Sequence, residues 1–214
     1  MAIVWPCPLS VDAYAEAGRD LAFPRPGCPS CAVPMVFWSG YRRWVRYLGC
    51  CRRVFVPRLR CGGCGVTHVL LPAFVLAWRL DAAEVIGGVL AGVAGGRCGV
   101  RPAAARAGVP HTTARAWWRR FAVRGAVLGA GFAALAVELG GEAVVPPEGA
   151  ARFAVAAIGA ASAAASALPG WAPLGAWRFA SAVTGGTLLA ANTAVPWFTV
   201  GRRRFMPPVP SLPA

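Results

Sequence analysis

The spacing of hydrophobic positions along this chain changes from two to helical partway through. "VPMVFWSGYRRWVRYL" is aromatic and β-branched, and the Ser39-Gly40 pair inside it suits a turn or bulge. "RRVFVPRLRC" alternates, with Arg53, Phe55, Leu59 and Cys61 on one face and Val54, Val56, Arg58 and Arg60 on the other. Pro57 implies an edge position or a bulge. "VTHVLLP" reads as a last short strand. From Asp81 the period is helical: Val85, Ile86, Val89, Leu90 and Val93 recur along one stripe, and Gly95-Gly96 stops it. Asp81 as N-cap and Glu84 at N3 match a capping box.

In "RPAAARAGVPHTTARAWWRRF", Pro102 suits a first helical turn, Ala103 to Ala107 form a short helix, and Gly108 supplies a tight turn. A further helix runs from near Pro110 to about Val123. A short Ala-rich helix, "AGV", and a second helix with buried aliphatic and Trp positions is the pattern of a helix-turn-helix. Ala104 is small enough for close approach, and Val109, Ala114, Trp117 and Phe121 face the core, with Trp118 also read as core. His111, Thr112, Arg115 and Arg119 then face outward, where a recognition helix meets base edges, with Thr113 near the border. Arg120 and Arg124 lie to the side, suited to phosphate. The plainer reading is a solvated face of an amphipathic helix.

The cysteines add chemistry to this outline. "GCPSCAV" places Cys28 and Cys31 two residues apart, and "CGGCGVTH" repeats the spacing at Cys61 and Cys64 after an interval of 29 residues. Two such turns can aim four thiolates at one point, the tetrahedral set that Zn2+ favours. Two disulfides or a redox pair are the alternatives; "MAIVWPCPLSVDAYAE" lacks the features of a secretory leader, and a redox motif explains one pair but not two. Cys50-Cys51, at the expected hairpin tip, read as bystanders or as a redox or second-metal pair. His68 reads as a core or surface histidine more readily than as a ligand. Cys7 and Cys98 receive no role.

Charge sharpens the picture through its location. The net charge is +14, and residues 25 to 124 hold 16 Arg against Asp81 and Glu84. Such a basic middle points to a polyanion partner. Every basic side chain is Arg, whose planar fork suits phosphates and guanine edges, although a codon bias that also enriches Ala, Gly and Pro accounts for the absence of Lys.

The flanks are less informative. Residues 1 to 26 read as a Pro-rich leader with an acidic cluster of Asp12, Glu16 and Asp20. Beyond residue 124, "LGGEAVVPPEG" reads as a linker and the remainder as Ala-rich helices anchored by Trp171, Trp177 and Trp197. Arg202 to Arg204 offer a further phosphate contact or merely a soluble tail. "FAVAAIGAASAAASAL" is shorter than the ~20 residues a spanning helix needs. "FASAVTGGTLLAANTAVPWFTV" is broken by Gly185-Gly186, Asn192 and Pro196. Membrane insertion is therefore not expected, and a cytoplasmic location is. The expected fold class is α+β in several parts: a small antiparallel zinc ribbon, a helix-turn-helix, and an Ala-rich helical C-terminal region. The expected divisions are 1–26 leader, 27–72 ribbon, 73–124 helix-turn-helix, 125–150 linker and helix, 151–200 Ala-rich helices, and 201–214 disordered tail.

"CPSC…CGGCGVTHVLLP…AAEVIGGVLAGVAGG…AAARAGVPHTTARAWWRRF" resembles a family of uncharacterised bacterial proteins pairing a zinc ribbon with a helix-turn-helix. That layout is similar to the DNA-binding front end of insertion-sequence transposases. The resemblance covers roughly residues 27 to 124 and continues weakly through "SAVTGGTLLA". It implies Cys28, Cys31, Cys61 and Cys64 as zinc ligands and Thr112 to Arg120 as the DNA-reading segment. A transposase needs three carboxylates spread along a nuclease domain to hold two metals. After residue 124 this chain has only Glu138, Glu142 and Glu148. The expectation is a DNA-binding protein without enzymatic activity, a regulator or a mobile-element remnant. The alternative is the DNA-binding subunit of a recombinase whose nuclease lies on another chain. Expected phosphate contacts are Arg42, Arg43, Arg46, Arg52, Arg53, Arg58 and Arg60, and base contacts are Arg115, Arg119, Thr112 and His111. Duplex DNA is the expected partner, no small-molecule substrate is expected, and the apolar C-terminal region could pack two copies together.

Overall fold

A long two-stranded hairpin is the spine of the sheet. The computed structural model describes residues 2–169 and 174–190. β2 (Met35–Tyr47) and β3 (Cys50–Cys61) pair antiparallel, closed by a two-residue turn at Leu48 and Gly49. Both turn residues have positive φ, 47° and 77°, as a type I′ turn requires to match strand twist. β4 (Thr67–Pro72) adds antiparallel to β3, and β1 (Ala2–Trp5) adds parallel to β4, giving the order β1-β4-β3-β2. The sheet is therefore mixed, where an antiparallel ribbon was expected.

The expected irregularity at Ser39-Gly40 is found as a bulge between Phe37 and Ser39, with Trp38 the extra residue. The hairpin turns a different face inward on either side of it. Below the bulge Met35, Leu59 and Cys61 are buried; above it Val45, Val54 and Val56 are. Strict alternation in β3 thus gives way to four consecutive buried residues, Val54 to Pro57. Phe55 is buried on the opposite side from its neighbours, under the Arg19 guanidinium and against Phe37.

The reading of residues 1–26 as a leader is corrected. Val4 and Trp5 in β1 are core residues, and α1 (Val11–Ala17) covers β3. Ser10 caps α1 by accepting from the Ala13 amide at 3.1 Å. Tyr14 is fully buried, donates its hydroxyl to the Phe55 carbonyl at 2.9 Å, and meets Phe74 edge-on. This segment folds because β4 offers an unpaired edge 67 residues downstream, a pairing no local pattern announces.

The helical half comprises α2 (Ala83–Ala94), α3 (Val100–Arg106), α4 (His111–Val123), α5 (Gly125–Glu138), α6 (Ala150–Ser166) and α7 (Ala176–Val183). Ile86, Leu90, Trp117, Phe121, Phe132, Ile158 and Phe179 fill their common core. α5 and α6 approach closely because small residues line the contact; a side chain at Gly125 would strike the Ala150 backbone. α7 joins the two halves. Its Ser181 hydroxyl donates to the Val75 carbonyl, and its Arg178 reaches the Leu9 carbonyl and Glu84. Trp177 packs against Phe121, as an anchor should. Trp171, Trp197 and Arg202 to Arg204 lie outside the described residues, as does the stretch 201–214 read as a tail.

The capping box does not form. α2 begins after Ala82 with no side-chain cap, because Asp81 is bound by Arg46 and Glu84 by Arg178. The Ala83 amide is satisfied instead by the Phe74 carbonyl. No single helix among the described residues is long and apolar enough to cross a membrane.

Candidate metal centre and basic surface

The two cysteine turns are near copies in backbone terms. The Cys28 amide donates to the Val33 carbonyl at 2.9 Å, and its own carbonyl accepts from the Ala32 amide at 2.8 Å. The Cys61 amide donates to Val66 at 3.0 Å, and its carbonyl accepts from the Gly65 amide at 3.1 Å. The fourth residue after each first cysteine is left-handed, Ala32 at φ 60° and Gly65 at φ 72°. Glycine meets that demand freely at one turn, and alanine with some strain at the other. The Met35–Cys61 pair at the foot of the hairpin brings the turns together.

Their sulfurs converge. Cys28 and Cys64 are 3.6 Å apart at Sγ, Cys31 and Cys61 3.3 Å, and all four sulfurs lie within 4.8 Å of one another. A disulfide needs ~2.05 Å, so these are free thiols gathered without bonding. An ion ~2.3 Å from four tetrahedral sulfurs sets them ~3.8 Å apart, which this cluster fits. The four cysteines can therefore hold one metal ion. Cys28 and Cys61 are buried, whereas Cys31 and Cys64 are exposed, so the site sits at the surface with its inner edge in the core.

Local dipoles prepare two of the thiols. The Ser30 amide, 3.5 Å from the Cys28 sulfur, is the main influence lowering that thiol to about 7. The Cys64 amide leads in lowering Cys61 to about 6. Cys31 has a favourable amide at Val33, yet the Cys61 sulfur, burial and the other sulfurs push it up to about 12. Four thiolates this close repel one another unless a cation lies between them.

His68, in β4, stands behind the cluster. It is buried, its Nε2 lies 3.8 Å from the Cys28 sulfur, and its Nδ1 has no hydrogen-bond partner. Strand parity is the signal that finds it: His68 shares its face with buried Leu70 and pairs across to Leu59. Among the described residues no other group of three or more His, Cys, Asp or Glu is arranged to hold an ion, Glu138, Glu142 and Glu148 included. Cys50 and Cys51 are exposed at the hairpin tip.

The arginines divide into two sets. Arg42, Arg53, Arg58 and Arg60 are exposed. Arg43 is half-buried and donates to the Arg79 carbonyl; Arg46 grips Asp81 with two bonds of 2.8 and 2.9 Å; Arg52 pairs with Asp12. Those three are held by internal partners, which spacing alone does not reveal. On α4 the inward residues Ala114, Trp117 and Phe121 are buried, while Trp118 is half-buried. Thr112, Arg115, Arg119 and Arg120 are exposed, and His111 and Thr113 are half-buried. Arg124 instead donates to the Ala190 carbonyl. Gly108, at φ 65°, makes the turn from α3, and the Val109 amide closes it on the Ala104 carbonyl at 3.1 Å.

No curated protein and no solved structure matches the chain. The profile of a family described as a domain of unknown function (DUF6431) matches residues 28–113, from the first clustered cysteine to the first turn of α4.

Proposed function

We propose that the chain is a zinc-stabilised DNA-binding protein. Zn2+ is held by Cys28, Cys31, Cys61 and Cys64, α3 and α4 act as a helix-turn-helix, and α4 reads the major groove of duplex DNA. The observation that carries this reading is the division of α4. Ala114, Trp117 and Phe121 anchor one side, and Thr112, Arg115, Arg119 and Arg120 stand free on the other, with no acidic residue on the helix. Arg115 and Arg119 have the fork that suits guanine O6 and N7, and Thr112 and His111 add shorter contacts. Arg42, Arg53, Arg58 and Arg60 would take phosphates.

Four protein sulfurs leave a zinc ion no open position, which suits a structural rather than a reactive ion. The reading is therefore of a binding protein, a regulator or a mobile-element remnant, with no catalysis of its own. A metal assay and site selection from random duplexes with zinc-loaded protein test it. About one zinc per chain is expected from a closed four-sulfur site. The logarithm of affinity should fall by roughly 0.9 per phosphate against that of salt. Arg115→Ala and Arg119→Ala should each relax sequence preference by about 1–3 kcal/mol. Zinc-free protein that folds normally, or variants that select the wild-type sites, would refute it.

A further inference from the structure

α5 is apolar all round, yet only one side of it is covered. From Gly125 to Val137 it has no polar or charged side chain. Leu128, Phe132 and Leu135 face inward and are buried. At ~100° per residue, Ala126, Val127, Ala130, Ala133, Ala134 and Val137 fall together on the opposite arc. Val127 is 45 % exposed and Val137 52 %; Ala126, Ala130 and Ala134 are exposed too, and Ala133 is half-buried. A helix of this composition normally lies inside a core, so a bare apolar arc three turns long marks a contact surface.

Shape and charge say what covers it. Ala126, Ala130 and Ala134 form one i, i+4 row, and Val127 and Val137 stand on either side of that row. A row of methyls between larger side chains is a shallow groove, which lets a second helix approach to about 8 Å. The chain carries +14, so two copies repel over most of their surface, and this arc lets them meet without opposing arginines. The one charge on α5 is Glu138, at its C-terminal end. In a parallel pair Glu138 would face its own copy. In an antiparallel pair it reaches the start of the partner's α5, where the helix dipole and Arg124 are positive.

We propose that α5 pairs antiparallel with α5 of a second copy, about a two-fold axis between Ala130 and Ala134. Ala130 then meets the partner's Ala134, and Val127 the partner's Val137, each contact occurring twice. One helical face is smaller than the ~800 Å² per partner of a stable interface, so the dimer dissociates in the micromolar range. α5 follows α4 across a bend of 66°, so the pairing also fixes two copies of α4 relative to each other. The pairing itself does not depend on α4 reading DNA, and its failure leaves that reading standing.

Sedimentation equilibrium of the full-length protein without DNA, from ~1 to ~200 µM, tests it. The wild type passes from monomer to dimer over that range. Ala130→Glu buries an unpaired charge at the axis and weakens association about tenfold or more. Ala105→Glu, at an exposed position of α3, leaves association unchanged. Combining Ala130→Glu with Ala134→Arg recovers most of the loss, because the new acid and base face each other across the axis only when the helices run antiparallel. Both alanines are exposed in the single chain, so equal thermal midpoints at ~1 µM, where every form is monomeric, certify the fold. A wild type that stays monomeric to ~200 µM overturns the proposal, including one that floats with phosphatidylcholine vesicles instead. So does an Ala130→Glu variant that associates like wild type, since the contact then lies elsewhere. A double variant that recovers nothing overturns the antiparallel arrangement.

Discussion

The imidazole Nε2 of His68 lies 3.8 Å from the Cys28 sulfur, and the ring is 1 % exposed. With the proton on Nε2, the ring donates to a sulfur that already receives the Ser30 amide. Outer partners of this kind orient a ligand and temper its charge, and their loss typically lowers metal affinity by about 10–100-fold. His68→Ala should therefore give up a metal ion held by the four cysteines to a competing chelator at correspondingly lower chelator concentrations. His68→Gln, which keeps an N–H donor, should recover part of the loss. Equal retention by wild type and His68→Ala would make His68 a packing residue only.

Cys7 gives the fold an alkaline limit. Burial, against weaker opposing effects of the Leu9 amide and Arg178, pushes its thiol up to about 11 from an ordinary 9.0. The folded state favours the neutral form, so its contribution is complete below pH ~9 and is lost as pH rises toward 11. Two units correspond to at most about 2–3 kcal/mol. Urea midpoints should hold steady from neutral pH to about 9 and then decline, and Cys7→Ala should flatten that decline. An identical alkaline slope in the variant would assign the loss elsewhere, with buried Tyr14, also raised by burial, the next group to test.

Much of the site was legible because its signals are local. The C-x2-C spacing located all four sulfurs, Leu48-Gly49 sits where the strand pattern breaks, and α4 buries the side its periodicity marks. What was not legible depends on distant partners. β1 is four residues beside prolines, too short for a period, and it folds only against β4. Asp81 and Glu84 match a capping box locally, but Arg46 and Arg178 claim them from 35 and 94 residues away. Arg43 and Arg52 likewise look free in sequence and are held by Arg79 and Asp12.

That competition for Asp81 can be measured. An N-cap aspartate tolerates serine or asparagine with little loss, since either still accepts from a helix amide. A carboxylate chelating Arg46 through two bonds does not. Asp81→Ser should cost about 2–3 kcal/mol, short of the cost for a fully buried pair because Arg46 can regain water. Denaturant titration reads the difference. A loss under about 0.5 kcal/mol would restore the capping role.

The junction of α2 and α7 supplies the sharpest contrast, in two adjacent glycines. Gly87 faces inward, and a Cβ there would overlap the Trp177 indole; Gly88 faces solvent, and a Cβ there meets nothing within 4 Å. Helix propensity alone predicts that alanine stabilises both positions by about 0.5–1 kcal/mol. Packing reverses the sign at Gly87, where the indole would have to leave its contact with Phe121, at a cost of about 1–3 kcal/mol. Gly88→Ala should thus raise the unfolding midpoint and Gly87→Ala lower it. Pairing Gly87→Ala with Trp177→Leu should recover part of the loss, because the smaller side chain makes room for the methyl. If both alanine variants shift stability upward, α7 is not seated on α2 through Trp177, and the closure of the helical core over the sheet needs another anchor.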